Sequence, residues 1–332
     1  MPSALITGGH AGIGYSCARH LASHYKWDLV LAGRSPRRMQ QVAGELHRDF
    51  GIKVTNLHLD TSSLKSVREA AAHVARLRHN GQIGGLDAVL CNAGGRFDGP
   101  IAYSADGHEL TFATNCLGHF LLVNLLQDII EDDGRFVFTA SGTHDPDTAD
   151  GKMVGAVVEP DAKALASIGK AGTASVSAGK RYSTSKLCNI LNAYELHRRL
   201  RASGRSVSSI AFDPGSVPGT GFLRGMPVAV QWLSKTALLR WIFKRRGITM
   251  GSLDFSGASL ARLAADPGFA DASGKYYQSN NGTLAETRSS TLSYDEARAA
   301  KLWAQMEELA GLHPNDDCNQ QDDRREAGRS SG

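Results

Sequence analysis

The 332-residue chain lacks an uninterrupted apolar run of membrane length, paired cysteine spacing and a dominant sign of charge. Its longest apolar stretch, Met226 to Phe243, is broken by Gln231, Lys235 and Arg240 and falls short of the roughly 20 residues that span a bilayer core. A transmembrane helix is therefore not expected. The five cysteines, at 17, 91, 116, 188 and 318, form an odd set without metal-ligand spacing, which argues against a zinc module or a disulfide framework. No metal is expected, and with no apolar leader ahead of the first strand the expected location is the reducing cytoplasm. Lys and Arg total 37 against 33 Asp and Glu, a formal charge of only +4; this leaves no broad cationic field for nucleic acid. Internal repeats and a linker between two cores are missing as well.

What the chain does have is 42% hydrophobic residues, ample for a large core, arranged in alternating strand and helix patterns. SALITGG is a short apolar run ending in glycines, and after it Ile13, Cys17, Ala18, Leu21 and Ala22 recur at helical spacing. Strand, tight turn and helix follow. Gly8, Gly12 and Gly14 stand in that turn, where glycines let main-chain N–H groups and a helix N-terminus approach a pyrophosphate. WDLVLAGR, residues 27–34, supplies the second strand of a βαβ unit. At its end a site for NAD would carry Asp or Glu; Gly33 and Arg34 stand there instead, with Arg37 and Arg38 behind. A guanidinium pairs bidentately with a 2′-phosphate, so Arg34 points to NADP(H); the plainer reading of these cations is a solvated basic turn. His10 either faces the phosphates or is an exposed turn histidine.

KVTNLHLD gives a third strand ending at Asp60, with a helix after it to about Arg78, and LDAVLCNAGG (86–95) a fourth strand. This alternation specifies an α/β fold, a single-domain Rossmann arrangement with a doubly wound parallel sheet and ligands at the carboxyl ends of the strands. The phosphate turn, Asp60 and Asn92 should line one crevice.

Seven segments in order, TGGHAGIG, LD at 59–60, CNAGG at 91–95, TNCLGHFLL at 114–122, FVFTAS at 136–141, YSTSK at 182–186 and DPG at 213–215, make the chain resemble the short-chain dehydrogenase/reductase family over roughly residues 3–312. The resemblance implies that Gly8, Gly12, Ile13 and Gly14 hold the diphosphate and that Asp60 bonds the adenine amino group. It further implies that Asn92, Ala93, Gly94, Pro214 and Gly215 border the cofactor. Asn115, Ser141, Tyr182 and Lys186 match the catalytic tetrad, with Tyr182 and Lys186 also reaching the nicotinamide ribose and Asn115 holding a water that relays protons to the lysine.

The chemistry asks for these residue types on its own account. A carbonyl receiving hydride develops negative charge on oxygen, so it needs a donor that stabilises that charge and then yields a proton. Tyr182 can do both, and Lys186, one helical turn on, is expected to lower the phenol's proton affinity. Ser141, ending a strand, would orient the substrate oxygen; without its partners it would read as a turn former. A lone Asn in the apolar segment around Asn115 would normally be a satisfied buried group. His119 reads as a packed core histidine, whereas Thr143 and His144 either touch substrate or belong to a loop.

Ser141 and Tyr182 are 41 positions apart, and residues 143–180 read as a polar loop excursion at the mouth of the site. This insert, with SKLCN and ELHRRL after it, resembles the branch containing light-dependent protochlorophyllide reductase; retinol-dehydrogenase-like members share the NCLGHFLL-type segment. The pigment enzyme's pattern places a cysteine after the Pro-Gly turn, where this chain has Ser216. Residues 216–250 occupy the place of a substrate lid, made greasy by Trp232, Leu233, Leu238, Leu239, Trp241 and Ile242 and ended by Lys244, Arg245 and Arg246. It reads as a packed helical lid, or as a basic amphipathic segment in peripheral contact with a membrane. Either way a bulky hydrophobic small molecule is the expected substrate. Residues 1–312 form one domain, and 313–332 lack an apolar period, which predicts a disordered tail. Relatives pair through the helices beginning near Gly107 and Tyr182, implying a homodimer unless the insert blocks it. The expected function is NADP(H)-dependent reduction of a carbonyl, or oxidation of the matching alcohol. The alternatives are C=C reduction resembling that of protochlorophyllide reductase, and a non-catalytic nucleotide sensor.

Overall fold

The computed structural model describes residues 1–217, 245 and 248–312. Eight strands, β1 (Ser3–Thr7), β2 (Asp28–Gly33), β3 (Val54–His58), β4 (Leu86–Cys91), β5 (Ile130–Thr139), β6 (Ser208–Asp213), β7 (Tyr276–Asn280) and β8 (Thr283–Glu286), form one sheet. Their spatial order is β3-β2-β1-β4-β5-β6-β7-β8. Every pairing is parallel except that of β7 with β8. β1 and β6 are buried along their whole length, because helices cover both faces; such strands read as apolar runs rather than as alternation.

One face is covered by α1 (Gly12–His20), α2 (Pro36–Phe50) and α9 (Leu253–Ala265), the other by α3 (Leu64–His79), α5 (Gly118–Leu126), α8 (Ala178–Ala202) and α10 (Glu296–Ala310). Local signals place these helices. Pro36 opens α2 and Gly51, at φ 72°, closes it. Ser63 caps α3 and Ser177 caps the 25-residue α8, each accepting a main-chain N–H from the first turn. The strand order reverses between β1 and β4, so their carboxyl ends part around a crevice.

Two features go beyond the sequence reading. The sheet ends in a hairpin, turned by Asn281 and Gly282 with φ values of 50° and 81°, the pair of left-handed residues a tight hairpin requires. The insert is also more than a polar excursion: it forms α6 (Ala149–Val154) and α7 (Ala162–Ala166). Ala162, Leu165, Ala166 and Ile168 are buried in the core shared with α8 and α10; the first three recur on one side of α7, and Ile168 follows the helix.

Most of the expected lid, including its apolar residues 232–242, and the expected tail at 313–332 lie outside the described residues. Among the described residues no helix is long and apolar enough to cross a membrane, and no His, Cys, Asp or Glu cluster could hold a metal.

Candidate active site

The phosphate turn joins β1 to α1. A Cβ on Gly14 would stand 2.6 Å from the Gly8 carbonyl oxygen and 2.7 Å from Asn92 Nδ2, so only glycine lets the first turn of α1 close onto the ends of β1 and β4. Gly12 has φ +56° and nothing within 4 Å of its Cβ direction, leaving main chain open to a phosphate at the helix N-terminus. Beside the turn lies a cup lined by His10, Tyr15, Ser35, Arg37, Arg38, Gln41, Val42 and Glu45. His10 Nδ1 is buried there without a partner. Burial, then the charges of Arg38 and Arg34, lower the His10 pKa; Arg37 and Arg38 outnumber the one carboxylate of the cup, Glu45, and this surplus of cations suits a 2′-phosphate.

Arg34 itself is exposed and acts from outside the cup, whose walls carry Arg37 and Arg38 instead. Asp60 ends the β3 segment, its Oδ1 accepting Ser62 N–H at 3.0 Å and Ser62 Oγ–H at 2.7 Å. It lines neither the cup nor the main cleft. Asn92 donates through Nδ2 to the Thr7 carbonyl at 3.0 Å and thereby ties β4 to β1.

The main cleft is lined by Ile13, Asn92, Gly94, Ser141, Tyr182, Lys186, Pro214 and Gly215 among others. It brings together residues from β4, β5, β6, α1 and α8. Tyr182, half-buried, shares a hydrogen bond with the Ser141 side chain. Lys186, 4% exposed, donates from Nζ to the Thr139 carbonyl at 2.9 Å and lies 5.6 Å from the centre of the Tyr182 ring. Asn115 is fully buried behind the cleft: its Oδ1 accepts Gly95 N–H at 3.0 Å, and its Nδ2 donates to the Gly95 carbonyl at 3.0 Å and to Ser185 Oγ at 2.9 Å. A Cβ on Gly94 would stand 2.5 Å from Asn115 Oδ1, and its φ is +143°. That strand end approaches Asn115 this closely only as glycine.

Electrostatics departs from expectation at the phenol. Burial pushes the Tyr182 pKa up to about 12, offset by the Ser141 hydrogen bond and reinforced by Asp213. Lys186 does not bring it down, because its ammonium is tied to Thr139 over the ring face and burial lowers its own pKa to about 8. Tyr182 is thus a neutral donor at neutral pH, the form that protonates a reduced carbonyl oxygen, while Lys186 can take up or release a proton near pH 8.

Arg96, Asp150, Asp213 and Thr249 also line the cleft and were not singled out as site residues from the sequence. Asp213 ends β6; its Oδ1 accepts Gly215 N–H at 2.9 Å and its Oδ2 accepts from Gln278 Nε2 at 2.9 Å and from the Tyr276 hydroxyl at 3.3 Å. Asp150 reaches in from α6, its Oδ2 accepting Thr249 N–H at 3.1 Å and Thr249 Oγ1–H at 2.7 Å. Both Oδ2 atoms crowd Gly142, 3.0 and 3.2 Å from where its Cβ would stand. A signal for Asp213 was present in the DPG segment; Asp150 lies in an insert without a motif. Thr143 lines the cleft and donates to Ser141 Oγ at 3.2 Å. His144 turns away, accepting Ser290 N–H at Nε2 (2.9 Å) and bonding the Ser141 carbonyl through Nδ1 at 2.7 Å.

Comparison with known proteins agrees with this geometry. The short chain dehydrogenase family model matches residues 2–150. Protochlorophyllide reductase B of Oryza sativa is 32% identical over 95% of this chain and 78% of its own length; protochlorophyllide reductase of Daucus carota is 31% identical over 93% and 78%. An uncharacterized protein of Mycobacterium paratuberculosis superposes with a TM-score of 0.63 at 26% identity, covering 93% of each chain. A short chain dehydrogenase of Burkholderia cenocepacia in complex with NADP shares the fold, with a TM-score of 0.60 at 22% identity over 84% of this chain and 96% of that one. The chain belongs to the short-chain dehydrogenase/reductase family and is similar to its protochlorophyllide reductases.

Proposed function

We propose that the protein is an NADP(H)-dependent oxidoreductase that reduces a carbonyl, or oxidises the matching alcohol, on a bulky hydrophobic small molecule. The observation that carries this reading is the hydrogen bond between Tyr182 and Ser141 at a cleft shared with Lys186 and the end of the phosphate crevice. The bound dinucleotide supplies or accepts the hydride. Ser141 directs a hydroxyl to the substrate oxygen, and Tyr182 donates its proton as charge develops there. Lys186, held at the Thr139 carbonyl, returns a proton to the phenol, and Asn115 braces α8 through Ser185. The described cleft walls mix polar side chains with Ile13, Ala140, Pro214 and Val217; apolar contact with substrate is assigned to Ile13, Val217 and the lid segment. The same lid is the candidate for peripheral membrane contact, and pairing of two copies remains part of the proposal.

A carbonyl panel run with NADPH and NADH side by side tests the reading. Tyr182→Phe should lower turnover by about 10²–10⁴-fold and leave NADPH affinity nearly unchanged; retained turnover contradicts the assignment, and NADPH binding without any turnover favours the sensor. The 31–32% identity to protochlorophyllide reductases favours a second reading, reduction of a C=C bond in a tetrapyrrole. Ser216, in the cleft wall after Pro214-Gly215, speaks against it; pigment binding with light-dependent turnover would establish it.

A further inference from the structure

His119 stands one helical turn after Asn115, 1% exposed, with both ring nitrogens engaged. Nδ1 faces the Asn115 main-chain carbonyl at 3.2 Å and Nε2 faces Thr7 Oγ1 at 2.9 Å. A carbonyl only accepts, so Nδ1 carries the proton and Nε2 accepts from the Thr7 hydroxyl. Ala93 N–H donates to the Thr7 Oγ1 at 2.9 Å, and Asn92 N–H is shared between that Oγ1 and the Leu90 carbonyl, each at 2.9 Å. The Leu90 carbonyl competes for the Thr7 proton from 3.1 Å, farther than Nε2 at 2.9 Å. A second ring proton would have to compete with these two N–H groups for the lone pairs of Thr7. Burial and the Lys186 charge oppose it too, holding the ring's pKa down to about 4.

This chain of bonds joins two parts of the site. Thr7 directly precedes Gly8 of the phosphate turn, and Asn92 and Ala93 follow β4 into the crevice. Asn115 lies in the π-turn Ala113–Leu117 between α4 (Leu110–Phe112) and α5, where the wider ladder does not fix carbonyl directions as a regular helix does. We propose that His119 is a positioning residue of the reaction: its ring fixes the Asn115 carbonyl against Thr7, so that the cofactor crevice and the catalytic bend keep one relative geometry. The inference rests on the proposed function, in which Asn115 braces α8 beside Tyr182 and Lys186.

Two substitutions separate the ring's two bonds. His119→Asn places a donor near the Nδ1 position and loses the acceptor for Thr7; His119→Gln does the reverse. In the full chain loaded with NADP⁺, nitrogen NMR of the wild type should show the Nδ1–H tautomer, and the Asn115 carbonyl carbon shift should move in His119→Gln but hold in His119→Asn. With the panel carbonyl reduced fastest, kcat should fall about tenfold or more in His119→Gln with the KM for NADPH unchanged. His119→Asn should show the opposite split. An Nε2–H tautomer, or two variants that lose melting temperature alike without moving the carbonyl shift apart, overturns the proposal. The NMR readouts need no substrate, so a panel without turnover defeats the proposed function while leaving this inference decided on its own.

Discussion

Asp213 and Lys186 share one cavity, and burial acts on them in opposite chemical senses. The carboxyl of Asp213 is raised to about 6 by burial, with Asp150 adding to the effect. It binds its proton more tightly folded than unfolded, so its contribution to stability is present below the ordinary carboxylate range and is lost as pH rises through about 6. Asp213→Asn removes that titration. The variant's stability relative to wild type should therefore climb from acid to mildly alkaline pH, by up to about 3 kcal/mol; thermal melts across pH check this, and a gap independent of pH contradicts it. Some of this chemistry was legible in the sequence. Ser141, Tyr182 and Lys186 stand in motifs of fixed order, and the structure brings them to one cleft. The inward turn of Asp150 was not legible, because it follows from how the insert docks. The upward displacement of the phenol was also hidden, since it depends on burial and on Lys186 being held at Thr139.

At the scale of elements, the insert shows where pattern reading stopped short. Its composition is polar, yet Ala162, Leu165 and Ala166 fall on one side of a short helix that packs against α10 and are buried in the core. Asp161 caps that helix through Ala164 N–H at 3.0 Å and receives Gln305 Nε2 at 2.8 Å from α10. Leu165→Ala should cost about 2–5 kcal/mol, measured by chemical denaturation, whereas a side chain in a loose loop would cost almost nothing. The β7–β8 hairpin was legible and was passed over: Asn281-Gly282 between two short runs is a strong local hairpin signal. The first four strands and their helices were visible because glycines, prolines and caps mark their ends, as at Pro36, Gly51 and Ser63.

For the molecule as a whole, function follows from the strand order. Reversal between β1 and β4 opens one crevice, and the parallel neighbours β5 and β6 bring Ser141 and Pro214-Gly215 to the same edge of the sheet. α8 then crosses behind them with Tyr182 and Lys186 one turn apart. The doubly wound parallel sheet was predictable from alternating strands and helices; the charged and hydroxyl groups at residues 96, 150, 213 and 249 were not, because they come from places far apart in the chain. The account stands on hydride reaching a carbonyl carbon while Tyr182 protonates the oxygen. The most direct test is reduction of a panel carbonyl with NADPH deuterated at nicotinamide C4, one face at a time, followed by mass and NMR analysis of the product. The account predicts an alcohol carrying a single deuterium at the carbinol carbon, delivered from one face only; a product without deuterium, or with it on a former C=C carbon, would contradict it.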